Sequence, residues 1–264
     1  MSRVIIKWGG GLITDKEELC VVRQDIIDKL ALMTKKIHGL GYDVIIIHGA
    51  GSFGHLRAIE FDLANGRNSA SDIDQDAGVE LVRADMLELN KIVVQSLEGL
   101  NLPVSSHYPR DFITNTGSEC KGDLTSFSIT PSIHVAFGDV VICDSPRDFG
   151  ILSGDDLMFR LATDLPNVSH VIFAMGDVPG LLSLPPSNPN AKLLETWSSS
   201  RGFAGVHNNS IDTTGGIFLK AKRAAGIANS VEHVWFVDGT LPERIFDIVT
   251  ENCSIGTRVI QDEE

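Results

Sequence analysis

The sequence predicts an α/β fold in which a mainly parallel sheet is covered by helices. Two observations predict it. Short apolar runs end abruptly in glycine or acidic residues at Val4–Ile6, Val44–Ile47, Val140–Cys143, His170–Ala174 and His233–Val237. Longer stretches with helical spacing of apolar residues lie between them, at Glu18–His38, Val79–Gly99, Asp155–Asp164 and Leu219–Asn229. Strands buried on both faces read as continuous apolar runs, and the crossover helices between them supply the cover.

Taken along the chain, the N-terminal three fifths reads as βαβ units with turns at Gly9–Gly11 and Gly49–Gly54. A second region starts near Val168 and carries DVPG and then TTGG. The Pro- and Ser-rich stretch Leu184–Ser200 reads as an exposed hairpin or loop rather than a linker between independent domains. Neither an internal repeat nor a low-complexity tract is apparent.

With 264 residues, 43% of them apolar, the chain can bury a substantial core without help from disulfides or a structural metal. Lysine and arginine total 22 against 35 acidic residues, a formal charge of -13, which argues against a general nucleic-acid surface. Cys20, Cys120, Cys143 and Cys253 are far apart and form no CxxC pair, so reduced thiols are expected. The start MSRVIIKWGGG lacks the long apolar core of a signal peptide, and no stretch offers about 18 uninterrupted apolar residues for a membrane span. A cytoplasmic setting is the expectation.

Chemistry concentrates at the glycine turns. Lys7-Trp8-Gly9-Gly10-Gly11 directly follows an apolar run, and glycines there leave no side chain between peptide N–H groups and phosphate oxygens. Lys7 adds a point charge, with Thr14 and Lys16 just beyond the turn. A second small-residue turn, His48-Gly49-Ala50-Gly51-Ser52-Phe53-Gly54-His55, can admit an anion beside a helix N-terminus. His55 is a candidate hydrogen-bond donor to that anion; either histidine of the turn can also be structural. Neither cluster is a G-x-G-x-x-G dinucleotide fingerprint or a G-x-x-x-x-G-K-[ST] phosphate loop.

Further on, Ile151-Leu152-Ser153-Gly154-Asp155-Asp156 brings another turn with an acidic pair. Asp155 or Asp156 can orient cationic groups, bind Mg²⁺ through water, or cap the following helix. Late in the chain, Asp212-Thr213-Thr214-Gly215-Gly216 is followed by Lys220, again a flexible turn with a positive charge behind it. Phosphoryl transfer needs such convergence, because donor and acceptor oxygens are both negative as they approach.

In this order the segments IIKWGGGLITDK, HGAGSFGH, LNKIVVQSLEGLNLPV, GDVVICD, ILSGDDL, GDVPGLL and DTTGGIFLKAKRA resemble the amino acid kinase superfamily and, within it, the isopentenyl phosphate kinases. The resemblance spans about residues 3–225, and HGAGSFGH with its terminal histidine is its most discriminating part. It implies an open three-layer αβα sandwich as a single domain over residues 1–264. An acceptor-binding lobe is implied at about 1–167 and a nucleotide-binding lobe at 168–264, in a homodimer.

Residue by residue, the resemblance puts Lys7 on the transferring phosphoryl group, Gly9, Gly10 and Gly11 in the phosphate cradle, and Lys16 at the transition-state charge. Ala50, Gly51 and His55 match the acceptor turn, with Gly51 also approaching the donor and His55 binding the acceptor phosphate. Gly154 falls on the acceptor side; Asp177, Gly215, Gly216 and Lys220 fall on the nucleotide side. The text departs from the family at Gly11, commonly Ser; at Trp8, commonly a smaller aliphatic residue; at Ala50, commonly Gly; at Pro179 within the usual DxDG; and at Ile217, commonly Met. Trp8 and Pro179 bear on acceptor size and nucleotide geometry.

The reaction so implied is isopentenyl phosphate plus ATP giving isopentenyl diphosphate plus ADP, with Mg²⁺ held by ATP phosphates and waters and no direct protein ligand assigned. Two other readings stand beside it: a phosphonate kinase of the fosfomycin-resistance type, and a noncatalytic nucleotide-binding regulatory or storage protein. An isopentenyl tail requires an apolar pocket, for which candidates are scattered between Ile59 and Leu100.

Overall fold

The computed structural model describes residues 1–15, 18–129, 131–176, 178–202 and 216–262. In the N-terminal half lie β1 (Arg3–Trp8), α1 (Gly10–Ile13), α2 (Gln24–Gly39), β2 (Asp43–His48), α3 (Gly51–Glu60), α4 (Gln75–Glu98), β3 (Val104–Ser106), β4 (Ile113–Thr114) and β5 (Lys121–Gly122). They are followed by β6 (Ile133–Phe137), β7 (Asp139–Ile142), β8 (Phe149–Leu152), α5 (Gly154–Asp164) and β9 (Val168–Met175). The last elements are β10 (Thr196–Trp197), α6 (Gly216–Ala228), β11 (His233–Asp238), α7 (Glu243–Glu251) and β12 (Gly256–Val259).

Among the described residues the main sheet has eight strands in the order β10-β12-β11-β9-β1-β2-β6-β3. Every pairing in it is parallel except β11 with β12. Period-two alternation sends Val4, Ile6 and Trp8 of β1 to one core and Ile5 to the other. The first core is closed by α2 and α4, through Ile27, Leu30, Met86 and Leu89, and by α7 through Ile245 and Ile248. The second is closed by α5 and α6, through Leu157, Leu161, Ala224 and Ile227. The fold is thus the αβα sandwich that the resemblance implies.

Two readings need correction. Val140–Cys143 is not a main-sheet strand: its residues enter β7 of a smaller four-stranded sheet, in the order β5-β4-β7-β8. The main-sheet strand is β6, which ends one residue before Gly138; the chain then turns out of the sheet. The helix expected over Glu18–His38 begins only at Gln24, because Thr14 bridges Val22 and Asp15 N–H donates to Val21 O, tying the preceding residues into a loop. The stretch Leu184–Ser200 is tied back by an antiparallel bridge from Leu193, within it, to Leu182, just before it, and contains β10 at the sheet edge.

Candidate active site

A cavity of about 370 Å³ opens at the carboxyl ends of β1, β2 and β9, where an open parallel sheet leaves a crevice for ligands. Lys7, Gly9, Gly10 and Gly11 line it from the end of β1 into α1. Ala50, Gly51 and His55 reach it from the start of α3, Gly154 and Asp155 from α5, and Gly216 and Lys220 from α6. Segments more than 200 residues apart in sequence, at Lys7 and Lys220, therefore meet in one place. Lys16, Asp177 and Gly215, singled out from the sequence, lie outside the described residues.

The two glycine turns touch backbone to backbone. A Cβ on Gly10 would collide with the Gly51 amide nitrogen, and Gly51 itself has φ 51°, a conformation that side chains disfavour. Thr14 fastens the pair: its hydroxyl donates to Gly10 O at 2.9 Å and accepts from Ser52 N–H at 3.1 Å. The sequence places Thr14 near this turn but does not reveal the link, since it spans 38 residues.

Strand alternation settles two neighbours. Lys7 points to the α5 and α6 side, whereas Trp8 points the other way, fully buried in the opposite core and absent from the cavity wall. Trp8 therefore does not line the cavity itself, although it shares its core with Ala58, Val82, Met86 and Val140 of the cavity wall. His48 is structural as well: it is fully buried, stacked on Phe137 at 5.0 Å between centroids, and burial pushes its pKa down to about 4.

Asp155 organises the charged end of the cavity. Its Oδ1 lies 2.5 Å from Lys7 Nζ, and its Oδ2 and Oδ1 accept from Lys220 Nζ at 3.1 and 3.2 Å. The side chains of Lys7 and Asp155 are 7% and 5% exposed, so this triad operates in a low dielectric. Burial pushes the Lys7 ammonium down to about 8; Asp155 pulls it back up, and Lys220 adds to the depression. Burial also opposes ionisation of Asp155, but Lys220 and Lys7 together outweigh it and hold the carboxyl at about 2. Two ammonium groups against one carboxylate leave the cluster with one net positive charge, facing the glycine cradle.

Both members of the acidic pair hold cationic side chains in the structure. Asp155 holds the lysines and Asp156 holds Arg223, while the helix cap is Ser153, whose Oγ accepts from Asp155 N–H at 3.1 Å. Among the described residues there is no cluster of three side chains suited to a metal ion.

Another stretch of the cavity lining is largely apolar, the buried Asp139 next to Val140 being an exception. Ala58 of α3, Val82 and Met86 of α4, Val140 of β7 and Ile151 of β8 line it. Only Val82 and Met86 fall in the span Ile59–Leu100 where the sequence places tail-pocket candidates; the small sheet supplies the remainder of that wall beyond Ala58.

A parallel αβα sandwich whose glycine turns and paired lysines face one crevice is a phosphotransferase scaffold. The chain belongs to the amino acid kinase family, whose sequence profile matches residues 2–238. It is 34% identical over 258 residues to an isopentenyl phosphate kinase of Thermoplasma acidophilum, covering 96% of this chain and 98% of that one. An isopentenyl phosphate kinase of Methanocaldococcus jannaschii is 28% identical over 235 residues, covering 82% and 84%. Among solved structures, an isopentenyl phosphate kinase substrate complex superposes with a TM-score of 0.80 at 29% identity, covering 98% of this chain and all of that one. A second isopentenyl phosphate kinase structure gives a TM-score of 0.81 at 25% identity, covering 97% and 99%. No helix among the described residues is long and apolar enough to cross a membrane.

Proposed function

We propose that the chain transfers the γ-phosphoryl group of ATP to isopentenyl phosphate, forming isopentenyl diphosphate and ADP. The observation that carries this reading is a single cavity with a cationic triad at one end and an apolar wall at the other. The relatives named isopentenyl phosphate kinase support it.

The acceptor's phosphate oxygen is already charged at neutral pH, so the site needs alignment and charge stabilisation rather than a base. Lys7 and Lys220, tethered by Asp155, offset the charge on the moving phosphoryl group. Gly9, Gly10, Gly11 and Gly216 let backbone approach the donor phosphates, and Ala50, Gly51 and Gly154 form the acceptor side. His55, at the acceptor end of its turn, donates an N–H to the acceptor's existing phosphate. Lys16, Asp177 and Gly215 join the site on the strength of the resemblance. With Asp155 committed to two lysines, no direct protein ligand is assigned to Mg²⁺; it would be held by ATP phosphates and water and would supply further charge neutralisation.

The boundary near residue 168 between acceptor and nucleotide lobes belongs to the same reading. So does a homodimer, supported by the resemblance alone, whose oligomeric state light scattering measures; the cytoplasmic setting is proposed from the sequence's lack of a signal-peptide-like or membrane-length apolar run.

The test is to follow ADP and phosphorylated product with Mg²⁺-ATP and either isopentenyl phosphate or methyl phosphate. Each buried methylene contributes about 0.8 kcal/mol, so loss of the branched tail is expected to lower kcat/KM on the order of 100-fold. Equal kcat/KM for the two acceptors contradicts an apolar tail pocket.

A further inference from the structure

Outside the cavity, a second buried ion pair lies one residue along α5 and three residues along α6 from the catalytic triad. Arg223 Nε donates to Asp156 Oδ1 at 2.6 Å, with the Asp156 side chain 6% exposed. The Arg223 guanidinium also lies over the Phe159 ring, 5.4 Å from its centroid. Phe159 in turn packs on Gly226 so closely that a Cβ there would stand 2.8 Å from the ring edge.

Asp155 with Lys220, Asp156 with Arg223, and Phe159 with Gly226 thus form three steps that advance in the same direction along both helices. Such a ladder fixes the sliding register of two parallel helices. A slip of one residue is about 1.5 Å, enough to carry Lys220 Nζ out of hydrogen-bond reach of Asp155. The first step is catalytic and the third is a permissive glycine contact. The middle step is directional: a planar guanidinium meets its carboxylate in a defined geometry that a flexible lysine does not impose.

We propose that Asp156 and Arg223 are positioning residues that lock α6 in register on α5 and so hold Lys220 on the Asp155–Lys7 pair. Neither lines the cavity. The inference rests on Lys7 and Lys220 acting on the transferred group, and its test separates the two claims.

Burial chiefly holds the Lys7 pKa down; among the described residues the charged groups in contact with it are Asp155, which raises it, and Lys220, which lowers it further. In the double variant Asp156→Asn/Arg223→Gln no buried charge is left unpaired. Once melting confirms that it is folded, kcat is expected to fall at least about 10-fold, with KM for ATP and isopentenyl phosphate changed by less than about threefold. Competitive acylation of Lys7 against pH, mapped by mass spectrometry on the intact protein without substrates, reads its titration midpoint independently of turnover. That midpoint is expected to rise as Lys220 moves away.

An unchanged midpoint in the folded variant overturns the proposal whatever turnover does. So does an unchanged kcat in an active enzyme. If wild-type protein fails to phosphorylate isopentenyl phosphate while the midpoint still rises, the register lock stands and the substrate assignment falls. Should the double variant not fold, Arg223→Lys, which keeps the charge but not the planar geometry, is read by the same two measurements.

Discussion

At one end the cavity is held by Lys7, Asp155 and Lys220, contributed by β1, α5 and α6; at the other, Ala58, Val82, Met86, Val140 and Ile151 form a wall from α3, α4 and the small sheet. The charged end depends on a few short contacts that all pass through Asp155, so removal of that carboxylate leaves two ammonium groups unpaired in the low dielectric. The apolar end depends on area and shape spread over several side chains, so its parts are individually replaceable. Substitutions at the first are expected to act on kcat, and substitutions at the second on acceptor affinity.

The largest effect is expected from Lys7→Ala. Loss of one preorganised charge at the transferring group costs about 10²–10³-fold in kcat, with Asp155 still paired to Lys220. Steady-state ADP release measures it, and a loss confined to KM breaks the distinction between the two ends. Next comes His55→Ala, where a hydrogen bond to a charged group is worth about 1.5–3 kcal/mol. kcat/KM for isopentenyl phosphate is expected to drop accordingly, less in His55→Gln, while directly measured ATP affinity stays nearly constant. A selective loss of ATP binding moves His55 to the donor side.

The pH dependence sharpens the same comparison. Lys7 has its pKa lowered to about 8, so it is protonated below that pH and loses its charge above it. kcat/KM for ATP is expected to hold level up to about pH 8 and then fall, approaching about tenfold per unit. A profile level to about pH 10 removes Lys7 from the charge-stabilising role. The smallest effect belongs to the apolar wall: Val82→Thr keeps the shape but adds a hydroxyl costing about 1 kcal/mol. KM for isopentenyl phosphate is expected to rise about fivefold, with kcat on saturating substrate unchanged.

How much of this was legible in the sequence follows the same division. Glycine turns beside strand ends announce themselves locally, which is why Gly9, Gly10, Gly51 and Gly216 could be read without coordinates. Lys7 and Lys220 were recognisable beside those turns, but their sharing of Asp155 was not, because a carboxylate at a helix start is equally a cap until Ser153 takes that role. β6 escaped because His134 interrupts a run of five residues, while the more apolar Val140–Cys143 next to it turned out to belong to the smaller sheet. The apolar wall was the least legible part. Ala58, Val82 and Ile151 look like ordinary core residues, and only packing of α4 against the small sheet tells which of them face the cavity.

A competition between acceptors tests the central claim, that one cavity joins a charged transfer site to an apolar tail pocket, most directly. Wild-type protein, Mg²⁺-ATP, isopentenyl phosphate and a short hydroxylated phosphonate are mixed at equal acceptor concentrations, and products are followed by ³¹P NMR. Isopentenyl diphosphate is expected to accumulate first, with ADP formed in equal amount. Preferential phosphorylation of the phosphonate, or ATP binding with no phosphorylated product from either acceptor, contradicts the account.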